Sequence, residues 1–363
     1  MKIAVTYCFI IGLLVMGCKN AKPYHQEIVE NPAYFPNKIF ESKEDLVSPK
    51  FAALKSKYQL DTIFHTETDE FKRIVLVRNW IKQQISIDNN GPYPGDESAE
   101  SILDEAAKGH GFHCGHYMAV QNAIMNAYGY VTRCLGAGPG LAGGSRDHHG
   151  INEVWVNSLH KWVLSDAKYN VHFEKNGIPL SALEIRDEYL KNKAADIIAV
   201  RGPDKIPVTA VSENNKEVSA KTYTWIEWNR DNNKYINWPI DSSMMIVYND
   251  QYAQNNKWMW DGKPHWAYNT RHMNLVADRH FIEWTPNTIS SGVTIEGDKA
   301  TIKLESDTPN FKSYQLKKMN AADWEDVSSP VQVYLTKDRN EFIFRTINLA
   351  GVTGPEHTII LSR

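Results

Sequence analysis

The stretch GFHCGHYMAVQNAIMNAYGYVTR, residues 111–133, sets a cysteine at the head of an apolar run. Met118, Ile124, Met125 and Tyr128 continue that run at helical spacing until Gly129, a residue suited to closing a helix. A thiol attacks a carbonyl only as the thiolate, and a helix N-terminus beside an imidazolium lowers a cysteine pKa from ~8.5 into the range of roughly 3.5–7.5. Downstream, His149 and Asp166 flank two strand-like segments, INEVWVN (151–157) and KWVLSDA (161–167), which Ser158-Leu159-His160 joins as an expected hairpin. An acidic third residue holds an imidazole in the tautomer that nucleophilic catalysis needs. Cys114, His149 and Asp166 are therefore the expected catalytic set.

Between another expected strand, VTRCLGA (131–137), and His149 runs GAGPGLAGGSRD (136–147), read as a substrate gate or a plain solvated loop. His110, His113 and His116 around Cys114, with His148 and His149, also have a rival reading as metal ligands, since imidazole and thiolate at such spacing suit zinc. A thiolate held on zinc could not attack a carbonyl, so the expectation is no metal and no cofactor. His113, His116 and His148 are expected to face substrate.

Outward from this centre, Phe71, Ile74, Val75, Ile81 and Ile85 predict a helix from Asp69, and Ser101 to Ala107 predict a second. Residues 1–17 read as a secretory leader: Ile3 to Met16 form an apolar run too short for a comfortable membrane span. Val15-Met16-Gly17-Cys18 resembles a bacterial lipobox, which makes Cys18 the expected lipid anchor and the cell envelope the expected location, with the membrane as a partner. Residues 18–45, with their prolines, read as a tether or wrapping segment.

Four cysteines in 363 residues are too few for a disulfide scaffold. Beyond Cys8 and Cys18 only Cys114 and Cys134 remain; a Cys114–Cys134 disulfide competes with a buried, inert Cys134. A net charge of −3 gives no basic field for nucleic acid.

Seven of the eleven tryptophans fall between residues 221 and 284. Core filling is the default for such rings. The alternative is a sugar-stacking groove, with Trp225, Trp228, Trp258 and Trp260 expected to bind substrate alongside the histidines. From residue 285 alternation takes over: Ala300, Ile302 and Leu304, then Val331, Val333 and Leu335, then Phe342 and Phe344 predict an antiparallel β-sandwich over 285–363. Its ending, FRTIN-x-x-GVxGP, is similar to fibronectin type III or related immunoglobulin-like modules.

The order G-x-C plus apolar helix, then His149-GINEV, then Trp162-VLSD166 resembles the transglutaminase-like superfamily over roughly residues 70–170. The resemblance implies a papain-like α+β core within 46–284, with a helical N-terminal part and an antiparallel sheet. It also implies Cys114 as nucleophile, His149 as general base and then acid, and Asp166 as orienting carboxylate. His113 stands where small residues are common in the family, and Ile151 replaces its tryptophan. The expected function is thiol-dependent hydrolysis or acyl transfer on amide bonds of proteins, peptides or peptidoglycan. The alternatives are an envelope lipoprotein that processes or binds polysaccharide through the Trp/His-rich region, and a non-catalytic binding lipoprotein.

Overall fold

Helix α1 spans Pro49–Lys57, and α2 (Glu70–Gln84) starts where the Asp69 carboxylate accepts the Lys72 N–H. Helix α3 (Ala99–Ala107) begins two residues before the sequence places it, capped by Ser98, whose hydroxyl accepts the Ser101 N–H. These three surround α4 (Cys114–Ala127), in which every residue from His116 to Ala127 is buried. A helix enclosed on all sides has no polar face to display, which explains why this run lacks a clean amphipathic stripe. It closes at Tyr128, and Gly129 follows at φ 78°. These features belong to a computed structural model, which describes residues 22–27, 30–42, 45–138, 148–208, 219–231, 245–256, 259–260, 263–264, 273–319 and 321–363.

Helix α4 packs on a six-stranded sheet built from β1 (Thr132–Gly138), β2 (His149–Val156), β3 (Lys161–Ser165), β4 (Trp225–Asn229), β5 (Met245–Tyr248) and β6 (Met273–Val276). The strand order is β6-β5-β4-β1-β2-β3, antiparallel except for the parallel β5/β6 pair. Alternation assigns the faces. Val154, Val156 and Val163 meet the helical cluster, whereas Leu135, Ile151, Trp155, Trp162, Leu164 and Trp228 meet a second cluster on the opposite side. Within that second layer Arg133 and Glu153 form a fully buried ion pair at 2.7 Å. Glu153 also accepts Trp228 Nε1–H (2.8 Å) and the Ala182 N–H (2.7 Å), and the Arg133 guanidinium lies 3.9 Å from the Trp162 ring centroid. Arg133 and Glu153 are therefore structural, each satisfied inside the core.

The expected sandwich region is β-rich. A five-stranded sheet (His25–Gln26, His357–Ser362, Arg339–Asn348, Phe311–Lys318 and Glu325–Val327 in order) and a three-stranded sheet share one cluster that includes Ile302, Leu304, Leu316, Phe342, Phe344 and Leu361. Parts of the expected tether wrap the molecule: His25–Gln26 pairs with the last strand, and Phe40 packs in the layer behind the sheet. Cys18 and the rest of residues 1–21 lie outside the described residues. Among the described residues no helix is long and apolar enough to cross a membrane.

Candidate active site

Cys114 is the first residue of α4, half-buried and unbridged. The capping residue before it is His113, whose ring Nδ1 accepts the Gly115 N–H at 3.0 Å. His149 opens β2, and its Nε2 meets Asp166 Oδ2 at 2.7 Å. With Nε2 committed to the carboxylate, Nδ1 is the nitrogen left for the sulfur, to which the His149 ring is also hydrogen-bonded. Folding thus brings Cys114, His149 and Asp166 into one line.

Asp166 is buried just beyond β3, in a turn closed by two backbone bonds to Val171, and its Oδ1 accepts the Tyr169 N–H at 3.1 Å. Beneath it, the fully buried Arg78 donates to Asn170 Oδ1 (3.1 Å) and meets His172 Nδ1 (3.0 Å). Burial pushes Arg78 down to about 9, against the raising influence of the Asp166 and Glu174 charges. The turn that carries the carboxylate is therefore held from below by a buried guanidinium.

The charges follow from this geometry. Burial alone would raise the Cys114 thiol, but hydrogen bonds to His113 and His149, and the positive charge of His149 and then His148, hold it well below the usual thiol value. Burial alone would lower His149, but the Asp166 charge and hydrogen bond, with Cys114 behind them, raise it to about 10. Together they favour a thiolate facing an imidazolium at neutral pH. Cys134 is the opposite case: it is buried in β1, pushed up to about 12 by burial, with only a 3.5 Å contact from Asn152 Nδ2. Both cysteines are free, so the disulfide alternative is not realised; Cys134 packs in the core while Cys114 opens the helix.

A cavity of about 120 Å³ adjoins the sulfur, with His113, Cys114, His116, His148, Glu97 and Glu227 among its lining residues. His113, His116 and His148, the histidines read as facing substrate, line the same cavity as Cys114. His116 is buried, its ring centroid 4.1 Å from that of His113, and burial followed by His113's charge lowers it to about 4. It is a neutral wall. Gly150 allows α4 to approach the sheet here, since a Cβ on it would stand 3.3 Å from Met118 Cε and 3.6 Å from the Gly115 backbone.

The expectation that Trp225 and Trp228 offer their rings to substrate is corrected. They are 1% and 0% exposed, because β4 is an inner strand covered on both faces. Trp260 lies in a short strand whose side chains are not described, and Trp258 and residues 139–147 of the glycine-rich loop lie outside the described residues. The strand before that loop runs on through Gly138, two glycines further than a loop reading of 136–147 allows. Among the described residues no cluster of three or more His, Cys, Asp or Glu is arranged as a metal site. Sequence reading missed Glu227 and Glu97; Glu227's only signal was a charge inside the apolar WIEW.

Residues 59–167 match the model of the Transglutaminase-like superfamily, so the chain carries a domain of that superfamily across the span that holds Cys114, His149 and Asp166. No curated protein matches the chain. Among solved structures, a candidate cysteine protease from Cytophaga hutchinsonii is 18% identical, with a TM-score of 0.26, over 33% of this chain and 39% of that one. Red sea bream transglutaminase is 10% identical, with a TM-score of 0.25, over 86% of this chain and 56% of that one. The chain spans less than two thirds of the length of either.

Proposed function

We propose that this protein is a cysteine hydrolase that opens amide bonds of peptides, proteins or peptidoglycan stems through a thioester on Cys114. One observation carries the reading: a thiol lowered and an imidazole raised on either side of one contact, with a buried carboxylate 2.7 Å behind the imidazole. The Cys114 thiolate adds to the carbonyl carbon, and the electron pair of the C=O bond moves to oxygen. The Gly115 N–H is taken by the His113 ring and the His116 N–H by the His113 carbonyl, which leaves the Cys114 N–H at the helix start as the donor for that oxyanion. As the tetrahedral species collapses, the C–N bond breaks and imidazolium Nδ1 delivers its proton to the leaving amine. Neutral His149 then takes a proton from water, hydroxide adds to the thioester carbonyl, and the C–S bond breaks to return thiolate and a carboxylic acid.

An amine in place of water gives transfer, and the same groups serve both outcomes. The short apolar leader ending in Gly17-Cys18 supports placing this chemistry in the cell envelope, anchored by lipid at Cys18. The polysaccharide alternative has less behind it, since Trp225 and Trp228 are core residues. Wild type and Cys114→Ala, incubated with peptide, peptidoglycan and polysaccharide pools, test the reading. An amide-cleavage product missing only from the variant supports it; identical product profiles refute it.

A further inference from the structure

Strand β4 sets Trp225, Glu227 and Asn229 on the opposite face from Ile226 and Trp228, and Glu227 thereby lines the cavity beside Cys114. Glu227 is 1% exposed, and its Oε2 is buried without a hydrogen-bond partner. Oε1 stands 3.6 Å from His148 Nε2, within ion-pair range but longer than a hydrogen bond. A carboxylate withdrawn from water with an unfilled acceptor carries a desolvation cost that a matching ligand relieves.

The surroundings define that ligand. The cavity's second carboxylate, Glu97, sits at its mouth with its side chain half exposed, and no lysine or arginine is among the described lining residues. Met118, Ala119 and Met245 supply apolar wall. Gly136, paired with Glu227 across β1 and β4, keeps the gap between His148 and Glu227 open: a Cβ there would stand 2.5 Å from His148 Nε2 and 2.9 Å from Glu227 Oε1.

We propose that this cavity is a recognition subsite for a primary ammonium carried on an apolar stem next to the scissile carbonyl, with Glu227 as the specificity-determining residue. This rests on the thiol chemistry proposed above and names the substrate class it serves. The ammonium donates to Glu227, its stem lies along the methionine wall, and acyl groups ending in a carboxylate are excluded by two like charges. An apolar group of the same length enters but leaves the Glu227 oxygen unfilled, the situation in which a polar pocket discriminates most strongly.

The test uses the full wild-type chain and vinyl sulfones, to whose β-carbon the Cys114 thiolate adds while the imidazolium protonates the α-carbon. N-acetyl-lysyl, N-acetyl-norleucyl and N-acetyl-glutamyl vinyl sulfones, and norleucyl vinyl sulfone with a free α-amine, are compared by the rate at which mass spectrometry finds Cys114 labelled. An ammonium-bearing probe should label at least about tenfold faster than the neutral and anionic ones. A faster lysyl probe assigns the subsite to a side-chain ammonium, and a faster free-amine probe to a peptide N-terminus. In Glu227→Gln the ratio of ammonium to neutral probe should fall by about tenfold. The wild-type comparison stands even if that variant fails to fold. Equal or faster labelling by the neutral probe, labelling by none of the probes, or a preference that survives Glu227→Gln overturns the inference. Iodoacetamide, which carries no side chain, reads the thiolate separately. Selective alkylation of Cys114 without ammonium preference sinks the subsite and leaves the thiol chemistry standing, whereas an inert Cys114 sinks both.

Discussion

Replacing Asp166 with Asn removes a charge while keeping the shape, and the Asn oxygen still accepts the Tyr169 N–H that Asp166 Oδ1 accepts now. What the replacement abolishes is the support that holds His149 at about 10 against burial. The ordinary value is 6.5, and the gap from about 10 to 6.5 is about 3.5 pKa units, each a factor of ten in the imidazolium's hold on its proton. Cys114 is held low in part by that imidazolium, so in the variant the midpoint of its alkylation profile should move to higher pH and labelling at acidic pH should slow, while a more basic thiolate, with a Brønsted slope of about 0.5, reacts faster once formed. Iodoacetamide labelling followed by peptide mass spectrometry between pH 5 and pH 10 measures this, with circular dichroism confirming the fold. Cys134 is the internal control: at about 12 its thiolate fraction at pH 7 is about one in 10⁵, and it is buried. Superimposable Cys114 profiles for wild type and Asp166→Asn, or labelling of Cys134 as fast as Cys114 in folded protein, would refute the reasoning.

Arg133→Met leaves Glu153 buried with only Trp228 and Ala182 as donors and should cost about 3–5 kcal/mol of stability in urea unfolding; a cost below about 1 kcal/mol would show that the pair is not a structural keystone. His149 has a folded pKa above its ordinary one, so the stability it contributes is complete below about 6.5 and is lost as pH rises through about 10. The difference in melting temperature between wild type and His149→Gln should accordingly narrow across that interval, and a difference that stays flat or widens there contradicts the assigned imidazolium.

The helical part was readable because burial and period agree: Ile74, Val77 and Ile81 of α2 repeat on one face, and α4 is framed by a cysteine at its start and Gly129 at its end. The β2–β3 hairpin was readable from alternation around Ser158-Leu159-His160, where His160 adopts φ 51° and turns the chain. The aromatic groove was not, because a tryptophan's composition carries no information on which side of a sheet it falls. Trp225 and Trp228 lie on a strand whose neighbours are β1, far back in the sequence, and β5, beyond residues 232–244. Glu227 was hidden for the same reason: only the pairing with Gly136 shows that this charge reaches a cavity instead of solvent. His113's part as helix cap was obscured by its resemblance to a metal ligand, two roles that a local spacing cannot separate.

The tandem His148-His149 links recognition to chemistry. His149 turns to Asp166 and His148 to Glu227, as adjacent residues of an extended chain point to opposite sides, and the pairing of His149 with Ala137 fixes which imidazole does which. His148 acts on two anions at once: its charge helps to lower Cys114, and its ring stands nearest the Glu227 carboxylate. Substituting Gln at 148 therefore pulls two observables in opposite directions. Alkylation of Cys114 by iodoacetamide at acidic pH should slow, because the His148 contribution that lowers the sulfur is gone, while the preference for an ammonium-bearing probe should grow, because Glu227 loses the imidazole 3.6 Å from its Oε1. A purely structural role for His148 lowers both together, and that outcome would separate the two sites that the tandem is argued to join.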